Sequence, residues 1–216
     1  MKVNEIARQI TSSISSSIET YGFKLNHNTN EFKRRINHAT QIFELVFYKE
    51  GNYLKIKPEV RIKIKPIEDI YQQVSKRGDV YRTLGNDLFE ILRYIDCGEE
   101  TGKGEQYYWI IKDDESINKL IKIIPEYFKE TILPYFENNS TLSKVDELLN
   151  KYPRELSIHN WLYPLRANLA IIAAKLNNNP KFEELVKIYE EELKEAEESY
   201  KTEFVKLKNI LHEITV

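Results

Sequence analysis

The residues of this chain with the most direct access to catalysis are four histidines, one cysteine and a glycine-containing loop, and their spacing argues against that use. His27, His38, His159 and His212 are scattered. No two stand four residues apart, and neither an HExxH nor a Cys-x-x-Cys is present, so no local metal-ligand set exists. Ordinary solvated or hydrogen-bonded histidines are the expectation. Cys97 lies in Asp96-Cys97-Gly98-Glu99-Glu100, an acidic setting that disfavours the thiolate a nucleophile requires. Gly98-x-x-x-Gly102-Lys103-Gly104 is one residue short of a phosphate-binding loop and lacks the hydroxyl that would hold magnesium. Neither GxSxG nor GxGxxG occurs. Asp113-Asp114-Glu115 and Glu190-Glu191-Glu192 read as a helix cap and as a solvated helix face rather than as metal sites. No catalytic residue, cofactor or metal ligand is therefore assigned, although a site assembled from distant residues stays open.

What remains is a charged strand. Leu54, Ile56, Val60, Ile62 and Ile64 alternate with Lys55, Lys57, Glu59, Arg61, Lys63 and Lys65, the period of a sheet with one apolar and one wet face. The basic residues Lys55, Lys57, Arg61, Lys63 and Lys65 could span about 30 Å of strand and meet an acidic protein patch or several phosphates. Glu59 in their midst and the lack of interleaved aromatics count against nucleic acid. Tyr107, Tyr108 and Trp109 form a second candidate contact, since alternation points Tyr108 away from its two neighbours.

The elements that position these groups follow from periodicity. Ile6, Ile10, Ile14 and Ile18 make one stripe of a helix from Val3 to Tyr21, stopped by Gly22. Residues 41–48 read as a strand covered on both faces and, with the turn residues 49–52, form an antiparallel hairpin with the charged strand. Pro58 marks a bulge or an edge there. A short helix from Ile67 to Lys76 and a strand from Val80 to Leu84 follow, whereas 86–97 suits helix and strand alike. A strand over 106–111 and a helix from Asp113 or Asp114 to about Phe136, bent near Pro125, complete the first part. From Asn138 the pattern is helical. Ser143-x-x-Asp146 opens a short helix, a second runs from Asn160 or Pro164 to Leu176, and Asn179-Pro180 begins a last one. Its apolar positions continue from Phe182 to Ile214, about 33 residues and roughly 50 Å. The distal half, from Ala196, must then pack on the N-terminal domain or join two copies of the chain. The predicted fold is α+β, with an antiparallel sheet of three to five strands in residues 1–137 and a helical subdomain in 138–216.

Composition narrows the class further. With 216 residues, 41% hydrophobic and 31% charged, the chain has enough apolar surface for a core without staples. One cysteine excludes an internal disulfide. Residues 24–82 carry a net charge of +6 and the remainder −8, so a charged partner would be oriented on approach. No apolar run reaches the ~18 residues of a membrane span. The first residues lack the apolar core of a signal peptide, which points to the cytoplasm, and the bias toward Lys, Asn, Ile and Glu is that of an AT-rich bacterial genome.

The order of a leading helix into Tyr21-Gly22-Phe23-Lys24, then Phe32-Lys33-Arg34, a long hairpin, and Tyr107-Tyr108-Trp109-Ile110 before a proline-containing helix resembles a bacterial domain-of-unknown-function family. Its members are small α+β proteins, some near toxin–immunity and defence loci. The resemblance covers residues 3–137. It brings no catalytic residues and implies an immunity or accessory role. The connection 86–105 is long for that pattern, and the C-terminal helices lie outside it. Residues 168–193 are similar to one tetratricopeptide helix pair but lack the repeat, so they read as a helical hairpin. The function expected is a non-catalytic protein-interaction module with one protein partner. Nucleic-acid binding through the basic face and an enzyme with a dispersed site are the alternatives.

Overall fold

The computed structural model describes residues 2–75, 82–98 and 107–215. Helix α1 (Val3–Glu19) buries Ile6, Ala7, Ile10, Ile14 and Ile18, the predicted stripe, and Gly22 closes it at φ +83°. Four strands then meander: β1 (Lys24–Asn26), β2 (Glu31–Ile36), β3 (Ala39–Glu50) and β4 (Tyr53–Ile64). The β3–β4 hairpin pairs all twelve residues of each strand, from Ala39 opposite Ile64 to Glu50 opposite Tyr53. Helix α2 (Lys65–Tyr71) follows, then β5 (Leu84–Asp87), α3 (Leu88–Cys97) and β6 (Trp109–Ile111). Both β5 and β6 pair antiparallel with β4, giving a six-stranded sheet.

Pro58 stands at a local edge and not in a bulge, since its pairing with β3 is unbroken. Residues 54–56 of β4 face β6 and residues 59–62 face β5, so the proline falls in the gap between the two partners, where no N–H is needed. The sheet has more strands than expected because sequence periodicity does not reveal β1 and β2: β1 is only three residues long, too short for a period of two to register, and β2 carries just Phe32 and Ile36 as apolar residues. The ambiguous stretch 86–97 divides. Residues 84–87 are strand, and Asp87 then caps α3 by accepting from the backbone N–H groups of Phe89 (3.1 Å) and Glu90 (3.0 Å). Val80 and Tyr81, Lys76 and residues 99–106, expected to be strand, helix end and loop, lie outside the described residues.

Helix α4 (Asp114–Tyr127) starts from a capping box between Asp113 and Ser116. It runs through a π-helical turn, Phe128–Ile132, into α5 (Leu133–Asn139). The widened turn directly precedes Pro134, whose ring would otherwise press on the carbonyl four residues earlier. α1 and α4 pack together on one face of the sheet, where Phe23 meets Phe128 edge-on at 5.0 Å and Phe136 at 5.6 Å, and Phe43 meets Phe128 at 5.6 Å.

The helical part is arranged around α7 (Tyr163–Leu176), which buries nine consecutive residues from Arg166 to Ala174. α6 (Leu142–Asn150), α8 (Phe182–Glu192), α9 (Glu198–Glu213) and α2 all pack against it. Two expectations are corrected here. Thr141, not Ser143, caps α6, and Asp146 is buried, accepting from the side-chain amides of Asn150 (2.7 Å), Asn177 (2.7 Å) and Asn179 (2.9 Å). The single long last helix is two helices, broken over 193–197. Folding back lets Phe204, Leu207 and Leu211 bury against the 14-residue α7, about 21 Å long, which a straight helix would overshoot. Tyr71 Oη also donates to Glu203 Oε2 at 2.6 Å, tying α9 to α2. The two parts share one apolar cluster running from Ile6 to Leu211.

Candidate functional site

Four of the five basic residues proposed from the sequence, Lys55, Lys57, Arg61 and Lys63, occupy one face of the sheet, but the face is neither wet nor simply basic. Register brings a carboxylate from each of four strands into one row: Glu31 opposite Glu44, Glu44 opposite Glu59, Glu59 opposite Asp87. Directly opposed like charges destabilise a sheet unless cations are interleaved, and here they are. Arg61, 4% exposed, reaches Glu31 at 2.7 Å and also pairs with Glu44. Lys33 bonds Glu31 at 2.7 Å, Lys57 bonds Glu59 at 2.9 Å, and Arg82 bonds Glu59 at 3.4 Å. Lys55 pairs with Glu50 and lies 5.2 Å over the Tyr108 ring. Lys65 is at the start of α2, bonded to Asp69 at 2.7 Å. Lys63 is half-buried opposite Thr40.

Environment separates the carboxyls. Burial pushes the Glu44 carboxyl up, more than the Arg61 charge draws it down. Burial likewise raises Asp87, against the N–H groups it caps. Burial also opposes ionisation of Glu31, yet the bonds from Lys33, Thr29 and Arg61 together hold it below its ordinary value. Lys57, despite burial, is held more firmly protonated by Glu59. With cations and carboxylates so interleaved, the face locks strand register and offers few unneutralised charges to a partner. Among the described residues, no group of three or more His, Cys, Asp or Glu is placed to hold a metal ion.

The aromatic set is better placed for contact. Tyr107 is 46% exposed, and β6 carries Ile110 outward and Ile111 into the core. A groove of about 650 Å3 runs between β6 and one face of α4, lined by Tyr108, Trp109 and Ile110 and by Leu120, Ile123 and Tyr127. On its other side the aromatic patch continues onto α3, where Phe89 packs on Tyr107 at 5.6 Å and on Trp109 at 6.0 Å. Tyr94 of α3 in turn meets His159 edge-on at 4.6 Å, which joins α3 to the loop 151–162. That loop exposes Tyr152, Leu156 and Trp161. Of the nine large hydrophobic side chains exposed among the described residues, five belong to this arc, Ile95, Tyr107, Tyr152, Leu156 and Trp161, while Tyr48 and Ile110 stand in one row with Lys55 on the charged face of the sheet. Sequence reasoning found Tyr107 to Trp109 but missed Tyr152, Leu156 and Trp161. Their only signal was three large apolar residues in a stretch rich in turn residues.

The arc is joined to the sheet through β5. Gly85 N–H donates to His159 O at 2.7 Å, Asn86 Nδ2 to Ile158 O at 2.8 Å, and Asn160 Nδ2 to Thr83 O at 3.3 Å. A methyl at Gly85 would lie 2.0 Å from the Val60 carbonyl oxygen, so only glycine fits this strand crossing.

His159 is 2% exposed, and burial above all, with the Lys151 charge, holds its imidazole neutral with a pKa down to about 3. Cys97 is exposed at the end of α3. His212 lies 3.6 Å from Glu183 on the surface. No helix among the described residues is long and apolar enough to cross a membrane. No protein-family model, curated protein or solved structure matches this chain.

Proposed function

We propose that the chain is a non-catalytic protein-interaction module, of the immunity or accessory kind, that holds one partner protein through the apolar arc around α3 rather than through the basic strand. The observation that supports this is the clustering of five of the nine large hydrophobics exposed among the described residues beside β6, on α3 and on the 151–162 loop. Isolated exposed apolar side chains are normal, but a contiguous aromatic-rich patch is the composition of interface cores. The groove beside β6 adds a recess of about 650 Å3. It follows α4 and the π-helical turn after it from Ser116 to Glu130, about 20 Å, which accommodates roughly six residues of an extended segment. The ion pairing of Lys55, Lys57, Arg61 and Lys65 weighs against nucleic acid, because a phosphate would have to displace carboxylates already bound.

The test uses the full chain as bait in a native bacterial lysate, beside two variants. One carries Tyr107→Ala with Ile110→Glu, and the other carries Lys55→Glu, Lys57→Glu and Lys63→Glu. A stoichiometric protein retained by the second variant and lost by the first is the expected result. Nucleic acid recovered and lost by the second variant would establish the alternative, and recovery of no specific macromolecule would remove the proposal.

A further inference from the structure

The loop 151–162 and α6 enclose a small cavity lined by Leu148, Tyr152, Leu156, Ser157, His159 and Arg166. Its volume is about 10 Å3, room for one water-sized occupant. Arg166 is 1% exposed. Its Nη2 donates to the carbonyl oxygens of Pro153 (3.0 Å) and Tyr152 (3.4 Å), its guanidinium lies 4.7 Å over the Tyr163 ring, and its buried Nε has no partner. A buried guanidinium ordinarily has a carboxylate against it. The two acids whose charges reach the flanking Tyr163 and Tyr189 are Glu192 and Asp146, and both are engaged elsewhere. Asp146 is ringed by three asparagine amides, and Glu192, with Glu191, holds Arg154.

His159 supplies a second donor. The Tyr135 hydroxyl, buried and with no other acceptor for its proton among the described residues, lies 2.9 Å from the imidazole Nδ1, so the phenol is assigned as the donor there. The imidazole proton is thereby assigned to Nε2, which is buried and unpartnered. Ser157 Oγ accepts from the His159 backbone N–H at 3.2 Å and retains its own proton to donate. Three donors and no carboxylate thus border one cavity. A water accepts two such bonds and still needs acceptors for its own two protons, whereas an anion satisfies every donor and neutralises Arg166. We infer that this cavity is a binding site for a single small monatomic anion of chloride size. Bound there, the anion anchors Arg166 and, through it, the Tyr152 and Pro153 carbonyls of the loop that exposes Tyr152, Leu156 and Trp161.

The experiment is thermal unfolding of the full chain at constant ionic strength with chloride, bromide, gluconate or sulfate as the anion. Chloride and bromide are expected to raise the midpoint saturably, by roughly 5–10 °C at about one hundred times the dissociation constant, and gluconate and sulfate, too large for the cavity, are not. Ser157→Ala, which leaves the buried charge in place, should weaken the effect about 3- to 10-fold. Crystals soaked in bromide should show an anomalous peak beside Arg166 Nε and His159 Nε2. A midpoint that follows the general salting series, with sulfate strongest, or a cavity holding only water in the bromide crystals, would overturn the assignment.

Discussion

Arg61 on β4 donates to Glu31 on β2 at 2.7 Å although β3 lies between their strands. Two strand spacings are about 10 Å, so the guanidinium crosses the whole of β3 and pairs with Glu44 on the way. Arg61→Met is expected to cost roughly 3–5 kcal/mol, because buried carboxylates keep their charge and lose their cation. The urea midpoint measures the loss. Adding Glu44→Gln should recover part of it, with a coupling of about 1 kcal/mol or more. Additive effects would mean that Arg61 does not tie these strands.

Gly85→Ala should be among the most damaging single-methyl changes in the chain. The added carbon would meet Val60 O at 2.0 Å and Arg61 Cα at 2.9 Å, at φ +129°. A loss of roughly 3 kcal/mol or more is expected. Gly51→Ala, at φ +55° in the hairpin turn with nothing within 4 Å, provides the comparison and should lose only about 1–2 kcal/mol. Equal losses at the two sites would refute the steric account.

Acid stability should depend on His159. Its pKa is about 3 in the fold against 6.5 for the unperturbed side chain. Between those values the unfolded chain binds a proton that the folded chain does not, so stability falls as pH drops below about 6.5. Glu31, with its pKa lowered, acts in the same direction at lower pH, while Glu44 and Asp87, raised, act in the opposite one. His159→Gln should be less stable at neutral pH yet decline less steeply from about pH 6.5 to 4.5. Parallel stability–pH curves for the two proteins would contradict this.

Asp146 holds three helices' ends together through Asn150, Asn177 and Asn179. Asp146→Ala leaves the Asn177 and Asn179 amides without an acceptor, while Asn150 keeps the Ala170 carbonyl at 3.0 Å, and is expected to cost about 2–4 kcal/mol, with Asp146→Asn losing less. Chemical denaturation of the three proteins distinguishes this from a surface effect, which would stay within about 0.5 kcal/mol.

Sequence periodicity carried far where a single element decides its own burial. The α1 stripe and the β3–β4 alternation are one-dimensional patterns, and Asp113 and Gly22 mark real ends. The charged face was misread as basic because only β4 was in view. Its carboxylates come from residues 31, 44 and 87, and register alone brings them beside Arg61 and Lys57. Similarly, Leu193-Lys194-Glu195-Ala196-Glu197 contains no helix breaker. The break there is imposed by the length of α7, a property of another segment. Trp161 and Leu156 gave no pattern because loop residues have no period against which exposure can be read.

The bond from Gly85 N–H to His159 O also sets an order on synthesis. The outer edge of β5 is completed by residues about 74 positions later, which at 5–20 residues per second emerge some 4–15 s after it. During that interval a nascent chain presents an uncovered strand edge, a template for unwanted pairing. The stitch makes the N-terminal sheet dependent on the last third of the polypeptide, so a ribosome stalled before residue 160 leaves a sheet that is present but unfinished.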